Sequence, residues 1–299
     1  MTTLPDDLRA MRADVATQDA HPTSLLPGVP TGTAERVALA DDAPVRALRV
    51  YRPVATSGMP AVIVNLHGGG FVLGDGGGDD PYCRFLADAA GCVVVNLEYP
   101  LAPEHPYPAA VHHVTDVLAW LTTHGSAIGV DGARLAVGGH SAGGNLAAAA
   151  CLLGARRGTP RPVGLVVDYA PLDLVQPPAA KLTAAHRAGA AELAEAGARF
   201  NAWYLPDPAR AAEGLASPLL ADDLTVLPAT LVVTAALDLL AAEGDAFAER
   251  LRAAGVATTH ATFPGVDHGF THAGPAREAA AAWHLMAGFL AGVLAPDAS

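Results

Sequence analysis

The most informative stretch of the sequence is Gly139-His140-Ser141-Ala142-Gly143-Gly144-Asn145, which contains the pattern G-x-S-x-G. The preceding residues, Arg134–Gly138, are typical of a short buried strand, and the following ones, Leu146–Leu153, are typical of a helix. A serine on a sharp strand-to-helix turn points its hydroxyl away from the sheet. The first N–H groups of the helix favour negative charge beside that hydroxyl. The stretch therefore predicts that Ser141 is a nucleophile with an anion site next to it.

A run of three glycines upstream predicts a second part of the same site. It lies in His67-Gly68-Gly69-Gly70-Phe71, directly after the apolar strand Ala61–Leu66. Consecutive glycines expose backbone N–H groups that no side chain covers, and each such donor stabilises the oxyanion of acyl transfer by about 3–4 kcal/mol. We therefore expect this loop to bind the oxyanion, and the residues alone leave open which two glycines donate.

The general base must be chosen among 12 histidines. His268 lies between a predicted strand and the last predicted helix, and an α/β sheet places its chemistry in loops at the carboxyl ends of strands. His140 adjoins the nucleophile in sequence, but the sharp turn directs adjacent side chains apart, which makes it a poor base. His112 and Asp116 have the i, i+4 spacing of metal ligands, but two ligands on one helix are weak evidence. We therefore predict His268 as the base and no metal site.

The acid that orients the base should follow a strand and lie between Ser141 and His268, because the chain order in this type of site is serine, acid, histidine. Asp238 meets both conditions. Asp245 lies on the next predicted helix, and Asp267 is adjacent to the histidine and badly placed to hold its ring. We therefore expect Asp238 to accept the imidazole N–H and fix the tautomer.

Short apolar runs alternate with helical patterns along most of the chain. The predicted strands are Val45–Tyr51, Ala61–Leu66, Cys92–Leu97, Leu135–Gly138, Val163–Tyr169, Thr230–Thr234 and Thr258–Phe263. The predicted helices are Pro81–Ala90, Ala109–His124, Gly143–Ala155, Glu243–Ala254 and Ala276–Leu294. This alternation predicts an α/β fold with a mostly parallel central sheet flanked by helices.

Two parts of the chain do not fit the alternation. The first precedes the first predicted strand, and the second is rich in alanine, helical, and contains Phe200, Trp203 and Tyr204. We expect the two parts to form a helical cap over the site, with ordinary extra helices packed elsewhere as the alternative. The N-terminal cap part, first core part, cap insert and second core part are then 1–44, 45–174, 175–214 and 215–299.

Composition excludes several classes of partner. The chain has 299 residues, 51% of them hydrophobic, and a net charge of -12, which disfavours nucleic acid and anionic membranes. The N-terminus has no signal-peptide pattern, and no apolar run approaches the ~20 residues of a membrane span. The three cysteines form no C-x-x-C pair and are expected to be thiols. We therefore expect a cytoplasmic protein, and a homodimer is left open.

Together these motifs resemble the bacterial hormone-sensitive-lipase-like (family IV) esterases, which have the α/β-hydrolase fold. The resemblance extends over about Val64–Phe270. It rests on His67–Phe71, Tyr99–Ala110, Gly139–Leu146, Ser217–Leu219, Asp238 with Glu243-Gly244, and Asp267–Phe270. Two departures stand out: His140 occupies a position where the family commonly has Asp or Thr, and Leu239–Ala242 replace the usual Pro-Leu-Arg-Asp.

The resemblance implies a serine carboxylesterase acting on short- to medium-chain acyl esters, with Ser141 as nucleophile, His268 as base and Asp238 as acid. It implies that the oxyanion hole consists of the N–H groups of Gly69, Gly70 and Ala142, although the choice among Gly68, Gly69 and Gly70 stays open. Glu104 is expected to support the site through hydrogen bonds. A small-molecule ester is the expected partner, and no cofactor or metal is required.

Two other functions remain open. A deacetylase, amidase or acyltransferase acting on a small metabolite would use the same nucleophile, base and acid, because its chemistry differs only in the leaving group and acceptor. A non-catalytic small-molecule receptor on the same fold would usually lack one member of the triad, and here all three residue types stand in order.

Overall fold

A mixed β-sheet forms the centre of the molecule. The computed structural model describes residues 4–18, 32–40, 43–56, 58–183, 186 and 189–296. Within these residues the strands are β1 Thr33–Ala38, β2 Ala47–Arg52, β3 Val62–Leu66, β4 Val93–Leu97, β5 Leu135–His140, β6 Gly164–Asp168, β7 Ala229–Ala235 and β8 Thr258–Phe263. Their order across the sheet is β1-β2-β4-β3-β5-β6-β7-β8.

Helices cover both faces of this sheet. The α-helices of the described residues are α1 Asp6–Gln18, α2 Asp80–Ala90, α3 Ala109–His124, α4 Ala142–Arg157, α5 Ala190–Tyr204, α6 Ala241–Ala253, α7 Phe270–Ala273 and α8 Ala276–Val293. Alternate residues of β3 enter two separate cores: Val62 and Val64 pack with α3 and α4, whereas Ile63 packs with α2 and α8.

Most strands of the sheet are parallel, and their burial on both faces agrees with that direction. Every residue of β3, β4 and β6 is buried, as expected for strands covered on both faces, and these strands read as continuous apolar runs. The strands β3 to β8 are parallel to one another, and only β2 runs in the opposite direction, antiparallel to both β1 and β4. The predicted mostly parallel sheet flanked by helices is confirmed.

The expectation that residues 1–44 precede the first strand is wrong for one segment. Thr33–Ala38 form the edge strand β1, which pairs with β2 along its full length. Five of its six side chains are exposed, so β1 is held by backbone hydrogen bonds and carries no apolar alternation that a sequence could reveal. The parts of the predicted N-terminal cap at 1–3, 19–31 and 41–42 lie outside the described residues.

The sheet brings the predicted site residues to one edge. β3, β5, β7 and β8 point in the same direction, so their carboxyl ends meet on one side of the molecule. The glycine run follows β3, the serine follows β5, and the predicted acid and base follow β7 and β8. Among the described residues no helix combines the length and apolar character needed to cross a membrane.

Candidate active site

Ser141 lies on a tight turn between β5 and α4. β5 extends two residues beyond the predicted end at Gly138, so the turn itself is only one residue long. Ser141 has φ 51° and ψ -123°, a conformation that is costly for a residue with a side chain. A Cβ added at Gly139 would lie 2.5 Å from the carbonyl oxygen of Leu66, and one at Gly143 would collide with the same oxygen. Only glycines therefore let this turn pack against β3.

Three side chains form a hydrogen-bonded chain at this turn. Ser141 Oγ lies 3.0 Å from His268 Nε2, and His268 Nδ1 lies 2.8 Å from Asp238 Oδ2. The Asp238 side chain is fully buried, and its other oxygen accepts the N–H of Leu240 at 3.0 Å. The structure thus brings the three residues selected from the sequence together, in the order that passes a proton from a hydroxyl to a base.

The electrostatic environment of His268 favours its protonated form. Burial lowers the pKa of His268, but the charge of Asp238 and its hydrogen bond outweigh burial, so the pKa lies above its ordinary value of 6.5. The other two aspartates considered from the sequence do not touch the ring. Asp267 accepts the main-chain N–H of His268 at 2.8 Å, and Asp245 contacts Thr234.

The glycine run forms a loop with two free N–H groups. Gly69 and Gly70 have φ values of 114° and 59°, which glycine adopts without strain. Within the described residues the N–H groups of Gly69, Gly70 and Ala142 have no protein acceptor. The N–H of Gly68 donates to His140 Nε2 at 2.9 Å and is therefore engaged. Of the three glycines, Gly69 and Gly70 are the two left able to bind an oxyanion.

A cavity of about 410 Å³ opens above Ser141. One of its walls is apolar and includes Leu174, Leu193, Phe200 and Leu239. A second group of lining residues is polar and includes Asp79, His140 and His272. The glycine loop lies between them, because Gly70 adjoins the Phe200 ring and Gly68 adjoins the His140 ring. The glycine loop thus adjoins both groups of lining residues.

Helix α1 and the insert helix α5 meet beside the loop. Asp7 on α1 pairs with Arg199 on α5 at 3.4 Å. Arg12 on α1 donates to the carbonyl oxygen of Val72, at 2.8 Å, and binds Glu104 through a 2.6 Å ion pair. Glu104 thus acts through Arg12, which holds the turn that follows the glycine loop.

A buried ion pair joins the insert to the core. Lys181 lies 2.9 Å from Glu243, and both side chains are more than nine-tenths buried. Glu243 also accepts the N–H groups of Leu172 and Asp173. Burial raises the pKa of Glu243 to about 7, although Lys181 opposes that rise. The pair fixes the wall of the cavity near Leu174.

Two groups of residues have donor atoms of the kind that bind metals. Asp79, His140 and His272 lie within 4.8 Å of one another, but the His140 and His272 rings are stacked 3.7 Å apart at 25°. In-plane lone pairs on stacked rings run nearly parallel and do not converge on one ion. His112 and Asp116, which have ligand spacing in the sequence, both contact Arg157. Neither group fits a metal as arranged.

One functional contact was missed by reasoning from the sequence. Reasoning from the motif only rejected His140 as a base and predicted no contact for it, yet its ring lies against the glycine loop and accepts the N–H of Gly68. The expectation that it does not face Ser141 as a base holds, since His268 occupies that place. The neighbouring positions of β3 and β5 in the sheet cause the contact, and strand order is not readable from the motif.

Comparison with known proteins identifies the family. The family described as alpha/beta hydrolase fold matches residues 63–272. The ethyl acetate hydrolase of Pseudomonas putida is 36% identical over 234 residues, which are 76% of this chain and 72% of that protein. The hormone-sensitive lipase of Ictidomys tridecemlineatus is 35% identical over 118 residues, 40% of this chain and 16% of that protein.

The solved structures agree. A Pyrobaculum calidifontis esterase superposes with a TM-score of 0.86 at 32% identity, covering 98% of this chain and 95% of that one. The chain therefore belongs to the α/β-hydrolase family, among its hormone-sensitive-lipase-like (family IV) esterases, and is a carboxylic ester hydrolase.

Proposed function

We propose that Ser141, His268 and Asp238 hydrolyse short- to medium-chain acyl esters through an acyl-enzyme. The observation that carries the proposal is the pair of contacts from Ser141 Oγ to His268 Nε2 at 3.0 Å and from His268 Nδ1 to Asp238 at 2.8 Å. A hydroxyl bonded to a neutral imidazole, which is in turn held by a buried carboxylate, is the arrangement that activates a serine.

The first half of the reaction acylates the enzyme. Ser141 Oγ forms a bond to the ester carbonyl carbon while its proton passes to His268 Nε2. The carbonyl oxygen becomes an oxyanion and accepts N–H bonds from Gly69, Gly70 and Ala142. The bond from carbon to the alcohol oxygen then breaks, and the imidazolium gives its proton to the leaving alkoxide. Asp238 stabilises the imidazolium in between.

The second half releases the acid. A water molecule takes the place of the alcohol and passes a proton to His268 Nε2 as its oxygen bonds to the acyl carbon. The same three N–H groups stabilise the second oxyanion. The bond from carbon to Ser141 Oγ breaks, the proton returns to the serine, and the carboxylic acid leaves. Neither half of the proposed reaction requires a cofactor.

We further propose that α1 and the insert 175–214 form a cap that limits acyl length. The apolar wall contributed by Leu193 and Phe200, and a cavity of about 410 Å³, support a closed acyl pocket. Each buried CH₂ contributes about 0.8 kcal/mol, so kcat/KM should rise with chain length and fall once the pocket is full. Deleting the first 30 residues removes α1 and its Arg12 contacts and should flatten that profile.

The decisive experiment combines one variant with one substrate series. Ser141→Ala should lower kcat by about 10⁴-fold or more, with an unchanged circular dichroism spectrum. An organophosphonate should label Ser141 in the wild-type protein, and labelling at another serine would overturn the assignment. p-Nitrophenyl esters from acetyl to hexadecanoyl then test the cap, since efficient cleavage of the longest esters would contradict a limited pocket.

Three further expectations stay predictions. The buried thiols Cys83, Cys92 and Cys151 are compatible with a reducing cytoplasm, which cell fractionation can test. Light scattering can test whether the protein forms a homodimer. Mixing with DNA should give no complex, given the net charge of -12.

A further inference from the structure

We propose that His140 is a positioning residue for the reaction: its Nε2 accepts the N–H of Gly68 and thereby holds Gly69 and Gly70 with their N–H groups directed to the oxyanion. The inference rests on the proposed function, because it assigns those two N–H groups to the oxyanion hole. It gives a task to a residue that is neither nucleophile, base nor acid.

The contact between the ring and the loop is close and specific. Gly68 N lies 2.9 Å from His140 Nε2. A Cβ added at Gly68 would lie 2.7 Å from Cδ2 and 2.8 Å from Nε2 of the same ring. The imidazole thus fills the space that a side chain on the loop would need. A residue without an acceptor at position 140 loses this hydrogen bond to the loop.

A loop of glycines depends on such support. Gly68, Gly69 and Gly70 have no side chains of their own, so the hydrogen bonds made to their main-chain atoms determine where their N–H groups point. The carbonyl oxygen of Gly69 accepts the N–H groups of Val72 and Leu73, at 3.1 and 2.9 Å. These bonds fix the end of the loop that leads into Val72 and Leu73. The other end, at Gly68 next to β3, requires a separate anchor.

Two imidazoles anchor the end of the loop at Gly68. The carbonyl oxygen of Gly68 can only accept, so His67 Nδ1 donates to it, at 2.7 Å. The N–H of Gly68 can only donate, so His140 Nε2 accepts. Gly68 is therefore held on both sides, and it is removed from the set of oxyanion donors. The division of tasks follows: Gly68 anchors, while Gly69 and Gly70 remain available.

The hydrogen bond fixes the protonation state of His140. Nε2 must carry a lone pair, so the neutral ring has its proton on Nδ1. Five titratable groups face this ring: His67, His268, the stacked His272, Tyr169 with its ring centroid 6.0 Å away, and Asp79, whose Oδ1 lies 3.7 Å from Nε2. Burial lowers the pKa of His140 to about 3, and positive charge on His67 or His268 acts in the same direction. The acceptor therefore persists at ordinary assay pH.

The same arrangement is costly for folding. His140 Nδ1 is buried without a hydrogen-bond partner among the described residues. A buried polar atom left unpaired destabilises the folded protein. An apolar ring of similar shape would avoid that cost but could not accept the Gly68 N–H. The use of the imidazole thus lies in its Nε2, which accepts the Gly68 N–H, whereas its unpaired Nδ1 is costly for folding.

Replacements that differ only in the acceptor test the proposal. The amide oxygen of His140→Gln can reach the position of Nε2, whereas His140→Leu fills similar space without an acceptor. We expect His140→Leu to lower kcat on p-nitrophenyl butyrate by about 10- to 100-fold, since loss of a whole oxyanion donor costs about 10²–10³. KM should stay within about twofold, and His140→Gln should recover most of kcat.

A second readout separates positioning from a structural role. A trifluoromethyl ketone forms a tetrahedral oxyanion on the serine, so its inhibition constant should weaken in His140→Leu by about the same factor as kcat. Butanol, a neutral ligand with no carbonyl oxygen to bind at the glycine loop, should bind within about twofold of wild type. His124→Leu, the same replacement at an exposed histidine on α3, is the control.

Different results would overturn the role of His140 and the proposed function. A folded His140→Leu variant with kcat within twofold of wild type, or a His140→Gln variant no better than His140→Leu, overturns the proposal. If His140→Leu does not fold, His140→Asn replaces it, because its shorter amide cannot reach Gly68. A Ser141→Ala variant with His140 unchanged that keeps its esterase activity would instead overturn the proposed function, independently of His140.

Discussion

Replacing Asp238 by Asn tests the hydrogen-bonded chain at its most deeply buried member. Asp238 Oδ1 accepts the N–H of Leu240, which will hold the amide oxygen of Asp238→Asn at that position. The amide NH₂ then takes the place of Oδ2 and donates to His268 Nδ1. The ring is forced to carry its proton on Nε2, where it faces Ser141 Oγ and cannot accept the serine proton.

The size of the loss follows from the charge removed. Two unit charges about 4 Å apart at an effective dielectric constant of about 20 interact by about 4 kcal/mol. That stabilisation of the imidazolium corresponds to about 10³ in rate, at 1.36 kcal/mol per factor of ten. Adding the wrong tautomer, we expect kcat to fall by about 10³–10⁴, with KM little changed because the charge develops only during the reaction.

The pH profile supplies an independent signature. His268 acts as a base only when unprotonated, so kcat/KM falls as the pH drops through its pKa, which in the wild-type protein lies above 6.5. Asp238→Asn removes the charge that raises the pKa and leaves burial, which lowers it. The acid limb should therefore move to lower pH, while the plateau falls.

Initial rates on p-nitrophenyl butyrate between about pH 5 and 9, normalised to phosphonate-titrated sites, measure both effects. Asp267→Asn and Asp245→Asn are matched controls, since neither carboxylate contacts the His268 ring. An Asp238→Asn variant that keeps more than a tenth of kcat would refute the reasoning. So would an acid limb that does not move, or an Asp267→Asn variant with the larger loss.

Three other substitutions probe the walls of the cavity. Phe200→Ala should move the optimum of kcat/KM to longer acyl chains, by about fourfold in kcat/KM for each additional CH₂ accommodated, and an unchanged optimum in the ester series would argue against this wall. Gly70→Ala places a Cβ against the Phe200 ring at a φ of 59° and should lower kcat by about 10²-fold with the fold intact. Combining Gly70→Ala with Phe200→Ala should recover part of kcat, and a double variant with no recovery would contradict a role for the ring. Lys181→Met leaves Glu243 buried without its counter-charge and should lower the free energy of unfolding by about 3–5 kcal/mol in urea titrations, whereas adding Glu243→Gln should restore much of it.

The elements that bury an apolar face could be predicted from the sequence. The strands from Val62 to Phe263 and the helices α2, α3, α4, α6 and α8 were expected within a few residues of their observed bounds, because continuous apolar runs and helical periodicity are direct consequences of burial on a parallel sheet. Strand β1 could not be predicted in this way. Thr33–Ala38 bury almost no side chain, and backbone pairing leaves no mark on the choice of residues.

Within the site, motif order was enough to select Ser141, Asp238 and His268. It could not assign the donors among Gly68, Gly69 and Gly70, because identical residues differ only in their backbone partners. That distinction depends on the His140 ring reaching across from the adjacent strand. The Lys181–Glu243 pair was equally invisible, since it joins positions 62 residues apart that no local pattern connects.

The pairing of β3 with β5 has a consequence for how the enzyme can change. Leu66 and Gly139 are partners in the parallel ladder, and neighbouring strands lie about 4.8 Å apart. The hydrogen bonding between β3 and β5 therefore determines the spacing between the serine and the glycine loop. The base instead arrives from beyond β8, three strands further along the sheet, through a loop that this strand pairing does not constrain. Divergence in that loop can retune proton transfer while the attack geometry stays constant. The two parts of the site can thus change separately: the sheet determines the distance between Ser141 and the glycine loop, whereas the loop after β8 determines the position of the base.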